Sequence, residues 1–384
     1  MFSVARTRAD DGCPGALTLH QAADGLLARI RLPGGMITAD ELAALAGIAT
    51  DMGSPAMELT SRGNVQIRGV SDAPAVAEAV AAAGLLPSPT HETVRNIVAS
   101  PLSGRVGGHR DIRPLVGELD AAIQAEPLLA TLPARFWFGI DDGRGDVSGL
   151  AADVGVHVFG DSAALLLAGR DTGIRMPLAD AARTVVEVAA RFAQQREKAW
   201  RIAELDDTGP LLAKLAASAD ALPMWAPITR PPVGWLTQDD GRVTLGAAVP
   251  LGLLQARTAE YLAATAAPIV ITPWRSVLIC DLDEGAADTS LRVLAPLGLV
   301  FDENSPWLDV SACTGSPGCE HSAADVRADA ALLLEAADGR RHYVGCERAC
   351  GSQPGDEVLV ATGAGYRRKN SSGGQERSDS GGFS

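Results

Sequence analysis

The sequence predicts an α+β protein that is assembled from two related halves. Residues 25–70 read as strand, loop, helix and strand, and residues 241–282 repeat that order. Each copy has a proline-containing turn after its first strand, Pro33-Gly34-Gly35 in one and Pro250-Leu251-Gly252 in the other. Four cysteines follow the second copy. The duplication predicts a pseudo-twofold molecule with a functional site at the junction of the copies.

The first copy is expected to begin with an apolar strand at residues 26–32. A helix is expected over residues 38–49, because Thr38 and Glu41 have the spacing of a capping box. A strand over residues 58–68 completes the copy.

The second copy repeats these elements with a strand at 243–249, a helix at 258–264 and a strand at 269–281. Thr60 of the first copy matches Thr272 of the second. The remaining expected elements are helices over 72–83, 178–205 and 322–338 and strands over 135–140 and 154–159.

The composition excludes several classes of protein. Lys and Arg number 33 against 47 Asp and Glu, so the net charge of −14 argues against nucleic acid or an anionic membrane as the main partner. Hydrophobic residues make up 47% of the 384-residue chain, which suits two or three domains. There is no apolar run of the roughly 18 residues that a membrane span needs, and residues 1–11 have no signal-peptide core. We therefore expect a cytoplasmic protein that needs a local basic pocket for any anionic ligand.

Six cysteines are too few for a disulfide scaffold in a chain of this length. Cys13 and Cys280 stand alone, and we interpret them as small apolar residues. The others have the spacing C-x5-C, 26 residues, C-x3-C, and they are Cys313, Cys319, Cys346 and Cys350. Four thiols at this spacing predict the ligands of one metal centre.

The spacing favours a [4Fe–4S] cluster, with structural zinc as the alternative. Cysteine pairs that bind zinc usually lie roughly two to four residues apart, and the first pair here is more widely spaced. Gly315 and Gly318 lie within the first pair, and Gly345 and Gly351 flank the second. Backbone amides can therefore approach inorganic sulfide closely.

One predicted strand has a polar face. Its polar residues alternate with apolar ones, and they are Arg62, Asn64, Gln66 and Arg68. Such long donors suit carboxylates or oxyanions, although a solvated sheet face has the same pattern. The matching residues of the second copy are Trp274, Ser276, Leu278 and Cys280. Because a solvated face would tend to be polar in both copies, the pattern favours a ligand-binding face.

Further arginines lie in segments beyond this strand. Arg95 and Arg105 lie in a loop-rich stretch, and Arg135 and Trp137 are expected on one face of a strand. Together with the polar strand, these arginines are candidates for the local basic pocket.

Four separate motifs resemble the nitrite/sulfite reductase superfamily. They are Thr60-Ser61-Arg62-Gly63-Asn64, Val94-Arg95-Asn96 with Ser100-Pro101-Leu102, Leu132-Pro133-Ala134-Arg135-Phe136, and the four-cysteine set. The resemblance covers roughly residues 13–365. It implies two ferredoxin-like half-domains, two α/β domains, a [4Fe–4S] cluster and, normally, a sirohaem that shares the last cysteine thiolate.

The resemblance assigns roles to individual residues. It makes the cluster ligands Cys313, Cys319, Cys346 and Cys350. Superfamily members bind their substrate oxyanion through two arginines, matched by Arg62 and Arg95, and two lysines, whose positions hold Arg135 and Trp137. We therefore expect Arg62, Arg95 and Arg135 to be catalytic, and the substrate contacts to be these three with Asn64, Gln66, Arg68, Arg105 and Trp137. The loss of a lysine at Trp137 counts against reduction of nitrite or sulfite.

The segments 312–319 and 344–351 most resemble the precorrin-3B synthase branch. That branch acts in aerobic cobalamin biosynthesis, where it converts precorrin-3A to precorrin-3B by O2-dependent hydroxylation of C20 with closure of a γ-lactone by the ring A acetate. The resemblance implies a tetrapyrrole substrate, NADH as the ultimate electron source and an electron-donating reductase as partner. A sirohaem-dependent nitrite or sulfite reductase is the alternative function, and a non-catalytic iron–sulfur carrier is the third.

The same branch has been linked to a mononuclear non-haem iron. His109, Asp111 and His157 match the order of a two-histidine, one-carboxylate site, and His91 is a rival ligand. Unrelated surface or core imidazoles explain the same residues.

The predicted domains follow from the duplication and the resemblance. They are a first ferredoxin-like half-domain (13–75), an α/β tetrapyrrole-binding domain (88–205), a linker (206–230), a second half-domain (231–295), an α/β cluster domain (296–366) and a disordered tail (367–384).

Overall fold

The computed structural model describes residues 12–334, 339–353 and 355–369. It divides into two compact units, with the boundary between Leu308 and Asp309. Helices and several sheets occur in the same chain, so the predicted α+β class is confirmed. The finer domain boundaries stay a prediction. Within the described residues, no helix is long and apolar enough to cross a membrane.

The strands are β1 (His20–Ala22), β2 (Gly25–Ile30), β3 (Met36–Ile37), β4 (Ala56–Leu59), β5 (Val65–Val70), β6 (Ile97–Ala99), β7 (Phe138–Asp141), β8 (Val154–Phe159), β9 (Ser162–Leu167), β10 (Arg170–Pro177), β11 (Gly234–Thr237), β12 (Val243–Ala248), β13 (Leu253–Gln255), β14 (Ile269–Ile271), β15 (Ser276–Leu282), β16 (Val310–Ala312), β17 (Arg341–Val344), β18 (Glu357–Ala361) and β19 (Tyr366–Arg368). The α-helices are α1 (Ala39–Met52), α2 (Ala73–Ala82), α3 (Arg113–Ala125), α4 (Ala181–Gln195), α5 (Ala256–Ala263), α6 (Glu284–Leu294) and α7 (Val326–Leu332).

Two antiparallel sheets confirm the duplication. The first has the strand order β1-β2-β5-β4-β13 and the second has the matching order β11-β12-β15-β14-β3. Each sheet takes its last strand from the other copy, because β13 pairs with β4 and β3 pairs with β14. The proline-containing turns at Pro33–Gly35 and Pro250–Gly252 come directly before these exchanged strands. The two copies are therefore linked by backbone hydrogen bonds.

Helix α1 begins where the sequence predicts. The Glu41 amide donates to Thr38 Oγ1 over 3.2 Å, and the Thr38 amide donates to Glu41 Oε2 over 2.8 Å, which completes the capping box. The helix buries Leu42 and Leu45 in a hydrophobic core that both copies share. One face of each of the two sheets is therefore buried in this core. The opposite face of the first sheet is available for other contacts.

The remaining two sheets share one pattern, in which three parallel strands are followed by antiparallel pairing. In the third sheet β6, β7 and β8 are parallel and β9 and β10 continue antiparallel. In the fourth sheet β16, β17 and β18 are parallel and β19 is antiparallel to β18. Helices α3 and α4 pack with the third sheet around Phe136, Phe138 and Phe192. Both sheets are of the kind expected in the two α/β domains.

The strands predicted over 58–68 and 269–281 are wrong in the same way. Each is two strands joined by a turn, in which the Thr60 amide donates to the Asn64 carbonyl and the Thr272 amide to the Ser276 carbonyl, both over 2.9 Å. The turns require left-handed backbone, with φ of 68° at Gly63 and 59° at Arg275. In the first copy, polar residues stand at every second position from Arg62 to Arg68, so the pattern does not reveal that the chain reverses at Gly63.

Other predicted elements differ in extent. Helix α4 covers only the first part of the predicted 178–205, and α7 begins four residues after the predicted start at 322. The end of that predicted helix, residues 335–338, lies outside the described residues. The predicted disordered tail includes Arg367 and Arg368, which belong to β19, while residues 370–384 lie outside the described residues. Strands β9 and β10 and helices α3 and α6 were not predicted.

Candidate functional site

The first sheet has a buried polar face. Gln66 of β5 lies opposite both Arg29 of β2 and Glu58 of β4 in the strand register. Its side-chain oxygen accepts from Arg29 Nε over 2.7 Å, and its Nε2 donates to Glu58 Oε2 over 2.8 Å. Arg68, two residues further along β5, lies on the same face and is also buried. The face is therefore not a solvated surface.

The turn before β5 removes Arg62 and Asn64 from the predicted row. Asn64 Oδ1 accepts from the Leu32 amide over 2.9 Å, and its Nδ2 donates to Asn96 Oδ1 over 3.2 Å. The Arg62 guanidinium donates to two carbonyl oxygens in the segment before β7, those of Ala134 and Arg135. The prediction that all four polar residues share one strand face is thus wrong for these two.

Three of the arginines that the sequence singled out are held by carboxylates. Each forms a two-point contact with one aspartate, which is the strongest geometry for this pair of groups. The pairs and their Nε–O distances are Arg68–Asp24 at 2.7 Å, Arg95–Asp120 at 2.7 Å and Arg105–Asp281 at 2.9 Å. An anionic ligand at these positions would compete with a carboxylate of the protein. Their roles toward a substrate stay predictions.

Three other guanidinium groups have no carboxylate partner in the part of the chain that the structure describes. We call Arg29, Arg31 and Arg62 the arginine cluster. Arg31 is only 2% exposed, and its Nη1 donates to the carbonyl oxygens of Pro14 and Arg29 over 2.9 and 3.3 Å. Its Nε and Nη2 are buried without a hydrogen-bond partner. A buried donor without an acceptor costs about 1–3 kcal/mol, and more when it is charged, so these atoms indicate a place for an acceptor from outside.

The electrostatics of the arginine cluster also favour an anion. Burial first, and then the charges of the neighbouring Arg29 and Arg62, lower the pKa of Arg31 to about 9. Burial likewise lowers the pKa of Arg62 to about 10, with the nearby Arg201 as the next cause. The cationic forms are thus destabilised by desolvation and by one another. A bound carboxylate would relieve both effects.

Sequence reasoning missed Arg29 and Arg31. The signal was present, because two arginines at alternate positions directly before Pro33-Gly34-Gly35 point to the same face of a strand. Only the pairing of β2 with β5 shows that this face is the one that carries Gln66.

Arg135 and Trp137 do not lie on a strand, because β7 begins at Phe138. The Arg135 guanidinium lies over the ring of Trp200, 4.9 Å from its centroid. Trp137 is buried in a small apolar cluster with Val98 and Val147, and its amide donates to Asp153 Oδ2 over 3.0 Å. The shared strand face predicted for the two residues is therefore wrong.

The second unit brings the four cysteines together. Cys313 directly follows β16, and Cys346 lies two residues after β17. Since these strands are parallel neighbours, their carboxyl ends meet at the same sheet edge. The Gly345 amide donates to Cys313 Sγ over 3.3 Å. Partial burial and then the three other thiols of the set raise the pKa of Cys350, because its thiolate would lie close to all of them.

The cysteine loops fit an iron–sulfur cluster better than a zinc ion. A Cβ at Gly345 would lie 1.8 Å from Ser322 Oγ, so the loops approach each other more closely than any other residue there would allow. In a zinc tetrahedron with Zn–S distances of about 2.3 Å, the sulfur atoms lie roughly 3.8 Å apart. No three of the four described thiols lie within 4.8 Å of one another. The donor set is all thiol, and its sulfur atoms lie further apart than in a zinc tetrahedron.

One set of three acidic groups does lie within 4.8 Å, and it is Asp141, Asp142 and Asp146. Their oxygens already have partners. Asp141 accepts from four backbone amides of the following loop, and Asp142 is bound by Arg144. Burial and then the charge of Asp141 raise the pKa of Asp146 to about 7. These carboxylates hold the loop after β7.

The predicted iron ligands are not brought together. Among the described residues, no set of three groups within 4.8 Å includes His109, Asp111 or His157. Arg113 binds the Asp111 carboxylate, and His157 Nδ1 lies 2.9 Å from Ser148 Oγ.

The rival ligand His91 has partners at both ring nitrogens. Its Nδ1 lies 2.9 Å from Thr90 Oγ1, and its Nε2 lies 3.1 Å from the Glu126 carbonyl oxygen. The structure therefore offers neither of the predicted iron sites.

Comparison with known sequences gives three similarities. Residues 20–83 match the family model described as the nitrite/sulfite reductase ferredoxin-like half domain. A precorrin-3B synthase from Sinorhizobium sp. is 27% identical over 378 residues, which cover 92% of this chain and 81% of the relative. A ferredoxin–nitrite reductase from Synechococcus elongatus is 34% identical over 127 residues, 31% of this chain and 25% of that enzyme.

A solved structure has the same fold. The Mycobacterium tuberculosis NirA protein aligns with a TM-score of 0.73 and 20% identity, over 89% of this chain and 73% of that chain. The predicted duplicated architecture with ferredoxin-like half-domains is thereby confirmed.

Proposed function

We propose that the chain, which is similar to members of the nitrite/sulfite reductase superfamily, is an oxidoreductase of the precorrin-3B synthase type. It would convert precorrin-3A to precorrin-3B by O2-dependent hydroxylation of C20, and the ring A acetate would close a γ-lactone. The similarity to a precorrin-3B synthase along 92% of the chain supports this reaction. The observation that carries the proposal is the arginine cluster, with its buried and unpartnered donors on Arg31.

The arginine cluster suits a tetrapyrrole that has several carboxylates. Arg29 and Arg62 now donate only to neutral oxygens, so a substrate carboxylate would not have to displace an acidic side chain. Arg31 is fixed by the Pro14 carbonyl, which holds its remaining N–H groups in place. A carboxylate that reaches them gains charge-assisted hydrogen bonds, about twice as strong as neutral ones. Binding would thus orient the macrocycle through its acidic side chains.

The cysteines Cys313, Cys319, Cys346 and Cys350 would hold a [4Fe–4S] cluster, which supplies one-electron transfer when bound. The Gly345 amide stabilises the Cys313 thiolate by donating to it. Hydroxylation by O2 takes two electrons and two protons, one oxygen atom entering C20 and the other leaving as water. We propose NADH as the ultimate source, through an electron-donating reductase.

A sirohaem-dependent nitrite or sulfite reductase is the second candidate, favoured by the partial similarity to a nitrite reductase. Two positions argue against it. Trp137 is a buried core residue whose indole N–H is not acidic enough to protonate an oxyanion, and the Arg135 guanidinium is stacked on Trp200. An acid that protonates a small oxyanion is therefore missing at the positions where the superfamily has lysines.

The deciding experiment is anaerobic binding of precorrin-3A to the reconstituted protein, followed by addition of 18O-labelled O2 and mass spectrometry of the product. We expect a product heavier than the substrate by one labelled oxygen atom. A strong Soret band in the purified protein, with nitrite or sulfite consumed and precorrin-3A unchanged, would establish the second candidate instead.

A further inference from the structure

The loop between the last two cysteines presents one arginine to solvent. Ala349 is buried against Val344 and Val360, which anchors the loop to β17 and β18. Its neighbour Arg348 is exposed, as is Cys350. Within residues 12–334, 339–353 and 355–369, no hydrogen bond or ion pair involves the Arg348 side chain. Its positive charge therefore stands next to the cysteines without a local counter-charge.

The other charge of the loop is already neutralised. Arg367 of β19 forms an ion pair with the Glu347 carboxylate, and Lys369 Nζ donates to the Glu347 carbonyl oxygen over 2.6 Å. Glu347 is thus drawn toward β19 and is not the partner of Arg348. Arg348 lies between Cys346 and Cys350 in the chain, two residues from each. Apart from Glu347, the nearest groups along the chain that become negative as cluster ligands are these two cysteines.

We propose that Arg348 raises the reduction potential of the [4Fe–4S] cluster and so makes it a better acceptor of the electron that the reaction needs. This inference rests on the cluster in the proposed function. Reduction adds one negative charge at the four-cysteine site, and a nearby positive charge stabilises the reduced form more than the oxidised form. Net charge and solvent exposure are among the factors that set cluster potentials. Arg348 is a positioning residue here, since it acts through the cluster.

The arrangement offers a matched control. Arg367 carries the same charge in the same region, but its charge is compensated by Glu347. Its removal should therefore have little effect on the cluster. Because Arg348 is exposed, its effect should also weaken with salt, as the Debye length falls from about 10 Å at 0.1 M to about 3 Å at 1 M.

The test uses the full chain, reconstituted anaerobically, with iron and acid-labile sulfide measured first. Midpoint potentials are then determined by dithionite titration followed by electron paramagnetic resonance. At a fixed potential, we expect Arg348→Gln to reduce the ratio of reduced to oxidised cluster about tenfold, equivalent to about 59 mV for a one-electron couple. Arg348→Lys and Arg367→Gln should stay close to the wild type, and 1 M salt should shrink the Arg348→Gln shift.

Two results would overturn the inference while leaving the cluster intact. They are an unchanged potential in Arg348→Gln, and equal shifts in Arg348→Gln and Arg367→Gln, which would indicate a general effect of net charge. A wild-type protein that binds neither iron nor sulfide would overturn the cluster itself and this inference with it.

Discussion

The backbone amide of Gly345 donates to the sulfur of Cys313 over 3.3 Å. The bond joins the ends of two parallel strands, β16 and β17, so the sheet itself sets the distance between the first and third cysteines. A thiolate that accepts such a bond is favoured over the thiol. The site is therefore partly organised by backbone pairing, independently of any metal.

The first prediction concerns the last cysteine. We expect Cys350→Ser to abolish cluster binding and with it the activity, because a serine hydroxyl does not ionise at neutral pH as a thiol next to iron does. Iron, acid-labile sulfide and the cluster absorbance measure the loss. The control is Cys280→Ala, since Cys280 is buried in the first unit and should be dispensable for the cluster. Retained cluster absorbance in Cys350→Ser would contradict the assignment of the ligands.

Local patterns predicted the local features of this fold. The capping box of α1 lies within four residues, and the alternation of Gln66 and Arg68 lies within one strand. Both can therefore be recognised in the sequence. The partners that decide whether an arginine is available are distant. Asp120 lies 25 residues from Arg95, and Asp281 lies 176 residues from Arg105.

The sequence did not show that the residues of the arginine cluster come together, for the same reason. Arg29 and Gln66 meet across paired strands at a separation of 37 residues. The alternation in residues 58–68 identified a polar face correctly but placed Arg62 on it, because the reversal at Gly63 leaves the polar–apolar order unchanged. The pairing of strands that are distant in the chain could not be predicted, because no short sequence pattern encodes it.

The second prediction concerns the buried arginine. We expect Arg31→Met to leave the ligand-free protein as stable as the wild type or more so, because it replaces a buried, incompletely bonded charge with an apolar side chain of similar size. Affinity for precorrin-3A should fall about 10- to 100-fold, since hydrogen bonds to charged groups contribute about 1.5–3 kcal/mol. Anaerobic fluorescence titration and chemical denaturation give the two values. Arg292→Met, at an exposed site on α6, is the control. Undiminished affinity in Arg31→Met would rule out this role.

The third prediction concerns the buried ion pair between Arg95 and Asp120. Arg95→Ala should lower the free energy of unfolding by about 3–5 kcal/mol, because it leaves a largely buried carboxylate without its partner. The double variant Arg95→Ala/Asp120→Ala should regain a large part of this loss, since no uncompensated charge remains. Chemical denaturation of the three proteins provides the comparison. If the double variant is no more stable than Arg95→Ala, the loss of this ion pair is not the cause of the destabilisation.

The double variant also separates structure from binding. The role that the superfamily resemblance predicts for Arg95 requires that precorrin-3A binds about tenfold more weakly to the restabilised double variant than to the wild type, as expected for one lost charge-assisted hydrogen bond. Equal affinity would mean that Arg95 serves only to hold α3 through Asp120.

The last prediction follows from Asp146, which accepts a hydrogen bond from Ser100 Oγ over 2.5 Å. Burial and the nearby Asp141 raise its pKa from 3.8 to about 7, so the folded state binds the proton more tightly than the unfolded state. The stabilisation of the folded state that comes from this tighter proton binding is complete below pH 3.8. It is lost as the pH rises toward 7. Asp146→Asn keeps an acceptor for Ser100 but does not titrate, so its stability relative to the wild type should increase as the pH is raised from about 5 to 8. Denaturation midpoints across this range measure the difference, with the exposed Asp180→Asn as control. If stability depends on pH in the same way in Asp146→Asn and the wild type, Asp146 is already ionised at pH 5. Arg144 would then compensate its charge more fully than the 3.8 Å separation of the two groups suggests.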